Sequence, residues 1–464
     1  MSSRLPIIQP AQAPTPEFPE GVRGDGQRVH FVSLGCPKNR TDSEVMLGRL
    51  GGAGYELTDE ASDADIIVVN TCTFIDAATR ESVDTVLEMA ELKNSGKARK
   101  LVVSGCMAQR HHDVLRDEMP EVDAFVGTGD YHRILEVVTE GEPRADIVGR
   151  PVYVQGAEAR VNTLTPWSAY VKILEGCPQR CTFCIIPQLR GDLMSRSMDV
   201  IVDEARALAA QGVKELNLVG QDSNSWGRDI GPERLPHLLE ALNGVDGIEW
   251  IRLLYSYPAK FKDDLIDAFV GLEKVVPYID MPLQHISDPI LKAMRRGVSG
   301  ERTRRLLTKL RTSIPDVAIR TGFIVGFPGE TQENFQELMD FVEEQRFDNA
   351  GVFTFSPQDE TPAAHLPDQV PEELRQERRA MLMELQQELH VENNIEWLGR
   401  TVDVLVEGMH PETELLWVGR SARQAPEIDG RVIINDAGNA AFGDIVRVEV
   451  SDVAGYDLVG HVLD

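Results

Sequence analysis

The chain has 464 residues, room for about three domains at roughly 150 residues each. Its formal net charge is −28, from 47 basic and 75 acidic residues. That excludes a protein coated in nucleic acid over its whole surface, because phosphate binding is driven by Lys and Arg. At 42% hydrophobic content the composition is that of an ordinary globular protein, and no apolar run reaches the ~20 residues that span a bilayer. The N-terminus lacks the basic flank and apolar core of a secretory signal. A cytoplasmic location without a membrane partner is therefore expected. Thiols stay reduced there, and clustered cysteines read as metal or redox sites.

Residues 1–27 are Pro-rich and without periodic apolar positions, which predicts a disordered tail. Residues 28–150 alternate strand and helix. VHFVSL leads to a helix from Asp42 to Leu50, DIIVVN to one over Ala77–Leu92, and KLVVSG to one over Ala108–Met119. AFVG and a helix over Arg133–Val138 follow. Such alternation predicts an α/β domain with a parallel sheet, whose ligands bind beyond the carboxyl ends of the strands. Cys36, Cys72 and Cys106 each fall at such an end. One cysteine after a strand is most often a small buried hydrophobe. Three at equivalent junctions of one sheet point to a three-thiolate site. The His111–His112 pair has no partner at ligand spacing and is given no role.

Residues 163–396 carry six further strands: AYVKI (169–173), ELNLVG (215–220), WIRLLY (250–255), VPYIDM (276–281), AIRTGFIVG (318–326) and AGVFTF (350–355). With helices between them they predict an incomplete TIM-like (βα)6 barrel, whose functional residues lie on the loops after the strands. The first of these loops holds Cys177-x-x-x-Cys181-x-x-Cys184. A structural zinc site would close with a fourth Cys or His at short spacing, and none follows. Three soft thiolates suit three irons of a cubane. The stretch GFPGET (326–331) is, by itself, a turn into an N-capped helix with Glu330 and Thr331 in its first turn. Lys292–Arg311 is locally basic and reads as a solvated helix face, or as a contact for RNA or a carboxylate. His285 follows a strand and either lines a pocket or is a structural histidine. Residues 371–398 form a long charged helix. Within 397–464, short alternating runs separated by Gly and Asp turns predict a small antiparallel β-barrel.

The string EGCPQRCTFCIIP, with LVGQD (218–222) and GFIVGFPGET (322–331), resembles the radical S-adenosylmethionine (SAM) superfamily. That resemblance implies a 4Fe–4S cluster on Cys177, Cys181 and Cys184. It also implies SAM binding by Gly220, Gln221 and Asp222 at the amino group, and by Gly326, Phe327 and Pro328 near the adenine. Gln221–Asp222 stands where the superfamily usually has Gly–Glu. The wording around the other cysteines, SLGCPKNRTDSE, NTCTFIDAA and SGCMAQR, resembles the methylthiotransferase branch. It implies a second 4Fe–4S cluster on Cys36, Cys72 and Cys106. SAM then serves as methyl donor and radical source. No catalytic residue beyond the cluster cysteines is implied. The last domain resembles a TRAM domain.

Within that branch, LGCPKNRTDSE, EGCPQRCTFCIIPQLRGDLMSR, DMPLQHISDPILKAMRRG and APEIDGRVII resemble the RimO family. Its members modify the β-carbon of an aspartate in the twelfth protein of the small ribosomal subunit, giving 3-methylthioaspartate. The resemblance also implies a reductant such as flavodoxin or ferredoxin, a separate sulfur donor and a monomeric enzyme. The charge of the last domain agrees. Residues 400–464 hold five basic and twelve acidic residues, a local net of −7. A domain gripping tRNA should be basic, whereas an acidic one suits a basic ribosomal protein. A tRNA-adenosine methylthiotransferase with the same fold is the alternative enzyme, and a non-enzymatic iron–sulfur protein docking on ribosomes is the alternative of another class.

Overall fold

The computed structural model describes residues 7–8, 24–139 and 146–463. The chain divides into two compact units. The first comprises residues up to 179 together with 184–213 and 219–234; the second comprises 180–183, 214–218 and 235–464. Among the described residues no helix is long and apolar enough to cross a membrane.

The first unit opens with β1 (Ile7–Ile8), β2 (Arg28–Ser33), α1 (Pro37–Gly52), β3 (Glu56–Leu57), β4 (Ile66–Thr71), α2 (Asp76–Ser95), β5 (Lys100–Gly105), α3 (Cys106–Glu118), β6 (Ala124–Val126) and α4 (Ile134–Val138). Strands β2–β6 make one parallel sheet in the order β3-β2-β4-β5-β6. All six residues of β4 are buried. A parallel strand covered on both faces has that character, and the continuous IIVV run supplies the apolar surface for each side. Helix α1 begins five residues before the expected Asp42. Pro37 occupies its first turn, where a missing N–H costs nothing. Most of the tail expected to be disordered lies outside the described residues. Its Ile7–Ile8 pair, however, forms a short antiparallel ladder with β7 (Arg160–Val161), and Ile8 is fully buried. The buried Ile8 side chain contributes apolar area that helps hold even a two-residue strand in place.

The first unit continues with β8 (Ser168–Lys172), β9 (Leu174–Glu175), α5 (Ile186–Arg190), β10 (Met194–Ser195) and α6 (Met198–Ala210). Buried charges tie these elements to α1. The Lys172 ammonium bonds Asp42 and lies 2.8 Å from Glu175. Arg190 reaches Asp42 at 2.6 Å and Glu175 at 3.3 Å. A second buried set joins Glu44, Arg160, Glu204 and Arg196, with contacts of 3.5, 3.0 and 2.6 Å. Each cation is therefore neutralised in place, as burial requires.

In the second unit β11 (Glu215–Val219), α7 (Leu235–Asn243), β12 (Trp250–Leu253), α8 (Asp263–Gly271), β13 (Val275–Asp280), α9 (Asp288–Ala293), α10 (Gly300–Ser313), β14 (Ala318–Val325), α11 (Gln332–Gln345) and β15 (Asn349–Thr354) alternate as expected. β11–β15 pair in parallel in chain order. With β8 of the first unit, all six strands expected from the sequence are formed. α12 (Glu372–Ile395) then leads to β16 (Thr401–His410), β17 (Thr413–Ser421), β18 (Val432–Asp436), β19 (Ile445–Ala454) and β20 (Asp457–Val462). These five close into a barrel. Every pair in it is antiparallel except β18–β20, which is parallel. Its interior holds Val404, Val406, Val432, Ile434, Val448 and Val450. Two polar clusters fix this barrel to the sheet. Arg420 meets Glu215 at 2.6 Å and Glu407 at 2.8 Å, while Arg252 meets the same Glu215 at 3.0 Å. Asp429 accepts from Tyr278 at 2.6 Å and faces Arg320 at 3.5 Å.

Ile434→Ala should lower stability by about 2–4 kcal/mol through lost burial and the cavity left behind, read from urea unfolding of the full chain. Glu175 makes a second prediction. Burial alone would raise its carboxyl, but Lys172, Arg190 and a hydrogen bond from Gln221 hold it at about 2 against an ordinary 4.5. A carboxylate shifted this way stabilises the fold above its unfolded value and loses that contribution as pH falls to its folded one. Stability should therefore decline between about pH 4.5 and pH 2. Glu175→Gln should cost about 3–5 kcal/mol at neutral pH by leaving buried cations short of a partner, and should flatten that acid limb in a pH series of urea unfolding curves.

Candidate metal centres and cofactor site

The ladder of the first sheet sets the level of three thiols. Ser33 is opposite Asn70 and Asn70 opposite Ser104, so β2, β4 and β5 end together. Cys36, Cys72 and Cys106 follow within three residues of that line. Cys36 caps α1, and α3 starts on Cys106 itself. Gly105 makes the strand-to-helix turn at φ +93°, where a Cβ would stand 2.3 Å from Asn70 Oδ1; no other residue fits there. Amides lock the loops. Asn39 Nδ2 donates to the carbonyls of Leu34 and Thr71 at 2.8 and 3.0 Å. Asn70 Nδ2 donates to the Asn39 carbonyl and to Ser43 Oγ at 2.9 and 2.8 Å. Ser82 Oγ accepts from the Cys72 N–H and donates to its carbonyl.

The three thiols feel one another electrostatically. Burial would raise Cys36, but Lys38, Arg190 and backbone N–H groups outweigh it and the net shift is downward. Burial and the Cys36 charge push Cys72 up. Burial drives Cys106 up to about 12, opposed by Arg190 and assisted by the other two thiols. Arg190 Nη2 donates to Cys106 Sγ at 3.7 Å and to Asn39 Oδ1 at 2.8 Å. None of the six cysteines is in a disulfide. Among the described residues no three His, Cys, Asp or Glu side chains converge to hold a single metal ion. A cubane places each thiolate on a different iron, so its ligands need not share a point. Three thiols at one sheet edge, none of them in a disulfide, fit that demand.

In the second string Cys177 and Cys181 have partners of their own. The Cys177 N–H donates to the Gly191 carbonyl at 3.3 Å. Cys181 Sγ accepts from Arg296 Nη1 at 3.5 Å, and Arg296 is fixed by donating to the Pro282 carbonyl at 2.5 Å. Next to it, Thr182 Oγ1 donates to the Ala293 carbonyl at 2.8 Å. Cys184 is half-buried. The residues expected around SAM are placed in two groups. Gly220 lies against the Leu174 side chain. Gln221 donates to Glu175 Oε1 at 2.5 Å, while its own Oε1 is buried with no hydrogen-bond partner. A hydrogen-bond donor is what that orphaned acceptor lacks. Asp222 Oδ2 accepts from Gln179 at 2.8 Å and from Ser225 at 2.7 Å. In the second unit, the Gly326 N–H donates to both oxygens of Glu330 at 3.0 Å, and Phe327 is fully buried against Phe355. Pro328 continues that turn.

Several side chains do other work than the sequence suggests. Glu330 is not in the first turn of α11. Thr331 caps the helix in a capping box with Asn334, and Glu330 folds back onto Gly326. It also meets Arg378 at 2.7 Å and His285 at 3.3 Å. His285 is buried, its Nδ1 accepting from the Ser287 N–H. Most of the basic stretch is indeed exposed or paired, as Arg304 is with Glu344. Arg296 is the exception, only 4% exposed and turned to a cysteine sulfur. Sequence reasoning missed it, and missed Arg190, because a cation among polar neighbours gives no sign of burial. His112 meets Asp146 at 3.1 Å. In the closed barrel Arg420, Arg423 and Arg400 are committed to Glu215, Asp348 and Asp316. Asp403, Glu412, Glu414, Asp436 and Asp452 stay exposed, so the outer surface is strongly acidic.

Three family models match the chain. Residues 28–127 match an uncharacterized protein family, UPF0004; residues 171–342 match the radical SAM superfamily; residues 398–463 match the TRAM domain. Among solved structures, the radical SAM methyltransferase TsrM from Kitasatospora setae is similar in fold, with a TM-score of 0.55 at 17% identity over 73% of this chain and 77% of that one. Full-length relatives are much nearer. The ribosomal protein uS12 methylthiotransferase RimO of Anaeromyxobacter sp. (strain Fw109-5) is 52% identical over 94% of this chain and 93% of that protein. The protein of the same name from Geobacter sulfurreducens is 48% identical over 94% of this chain and 99% of that protein. With both cysteine groups in place on the matched folds, the chain belongs to the RimO family of radical SAM methylthiotransferases.

Proposed function

We propose that this protein methylthiolates the β-carbon of an aspartate in ribosomal protein uS12, giving 3-methylthioaspartate. The level placement of Cys36, Cys72 and Cys106 at one sheet edge, in a chain that also carries the Cys177 string, is the observation that carries this reading. It agrees with the names of the family's members. The functional parts are a cluster domain over 28–150, a radical SAM domain over 163–396 and a TRAM-like barrel over 397–464.

Cys36, Cys72 and Cys106 hold one 4Fe–4S cluster, and Cys177, Cys181 and Cys184 the other. Three thiolates per cubane leave one iron of each open. Gln221 accepts from the amino group of SAM through its unpartnered oxygen. Gly220 and Asp222 bind beside it, and Gly326, Phe327 and Pro328 bind near the adenine. When bound, the clusters and SAM supply the electron, the radical and the methylthio group. The protein positions them and excludes water, as the burial of Cys72, Cys106, Cys177 and Cys181 supports. The exposed carboxylates of the closed barrel attract the basic uS12. A flavodoxin or ferredoxin as reductant, a separate sulfur donor, a monomeric state and a cytoplasmic location complete the reading.

The test is anaerobic reconstitution with iron, sulfide, SAM and reductant, offered uS12 in one vessel and bulk tRNA in another. Mass spectrometry should find a gain of about 46 Da on an aspartate peptide of uS12, hydrogen replaced by SCH₃. The same gain on adenosine alone would overturn the substrate. Cys181→Ser should abolish reductive SAM cleavage. Cys72→Ser should retain SAM cleavage while forming no methylthiolated product.

A further inference from the structure

Arg190 sits where charge balance does not require it to point as it does. It ends the short helix α5 and is 2% exposed. Lys172 already bonds both buried carboxylates, Asp42 and Glu175. Arg190 brings a second positive charge to the same two acids, but only through Nη1. Its Nη2 is turned away from them, toward Asn39 Oδ1 at 2.8 Å and Cys106 Sγ at 3.7 Å. A planar guanidinium held on one arm has no freedom left in the other. Asp42 and Glu175 therefore aim the second arm at the sulfur.

We infer that Arg190 is a positioning residue that raises the reduction potential of the cluster on Cys36, Cys72 and Cys106 by donating a hydrogen bond to the Cys106 sulfur. The inference rests on that trio holding a cluster, as set out above. Hydrogen bonds to cluster sulfurs and nearby positive charge both favour the more negative, reduced state. Arg190 contributes both from inside the protein, where screening by salt is weak. The other oxygen of Glu175 accepts from Gln221 at 2.5 Å. The orientation of Arg190 is thereby linked, through one carboxylate, to a residue of the SAM-binding segment.

The experiment uses the full-length chain with Cys177, Cys181 and Cys184 changed to Ala, so that only the N-terminal cluster forms. Iron is counted after anaerobic reconstitution, and the midpoint potential is read by redox titration followed by electron paramagnetic resonance. The expected result is full iron in the parent and in Arg190→Gln, with the variant's potential shifted to more negative values. Arg190→Lys, which keeps the charge but lacks the fork, should fall between them. Unchanged potentials in iron-loaded variants overturn the inference and leave the cluster assignment standing. A parent that takes up no iron overturns both. If Arg190→Gln alone loses iron, Arg190→Lys decides: a potential equal to the parent's overturns the inference, and a negative shift supports it. Loss of iron from both variants would make the role purely structural and would also overturn it.

Discussion

The buried exchange among Asp42, Lys172, Glu175 and Arg190 is the constraint on which the first unit depends. Two carboxylates and two cations, all nearly excluded from solvent, share contacts of 2.6–3.3 Å apart from the shorter Lys172–Asp42 pair. Such a set adds little net stability over a well-packed apolar core, yet removing any one member leaves an uncompensated charge worth several kcal/mol. Its value is therefore geometric. Asp42 belongs to the helix that Cys36 caps, and Glu175 lies two residues before Cys177. The four charges thus tie helix, strand and cysteine loop together.

The same device recurs at the closed barrel. Arg420 spans from β17 to Glu215 on β11, and Arg252 shares that carboxylate from β12. Asp429, in the loop before β18, takes the Tyr278 hydroxyl and the Arg320 guanidinium. Ionic and polar pairs of this kind demand a definite distance and direction, which apolar contact alone does not. Within the second unit they orient the barrel on the sheet.

Much of this was legible in the sequence, and the part that was not has a definite cause. Strands such as IIVVNT and KLVVSG announce themselves by composition, and the cysteines that follow them announce the sheet edge. The first turn of α1 did not, because its buried residues include Lys38, Asn39, Thr41, Asp42, Ser43 and Glu44. A helix that buries polar groups shows no apolar stripe, and period-based reading begins it too late. Arg190 and Arg296 were hidden for the same reason: the signal of a buried cation lies in its partners, which are distant in sequence. Ile7–Ile8 escaped because two residues carry no periodicity at all.

Closure of the five-stranded barrel has a consequence for how anything can bind there. A closed sheet offers no row of unpaired N–H and C=O groups, so an incoming segment cannot extend it as another strand. A partner of this domain would instead meet side chains on its outer face, where Asp403, Glu412, Glu414, Asp436 and Asp452 are exposed. An encounter governed that way is fast at low ionic strength and slows steeply as salt rises. For the basic partner proposed above, ionic strength would thus set how readily it is captured, independent of the chemistry that follows.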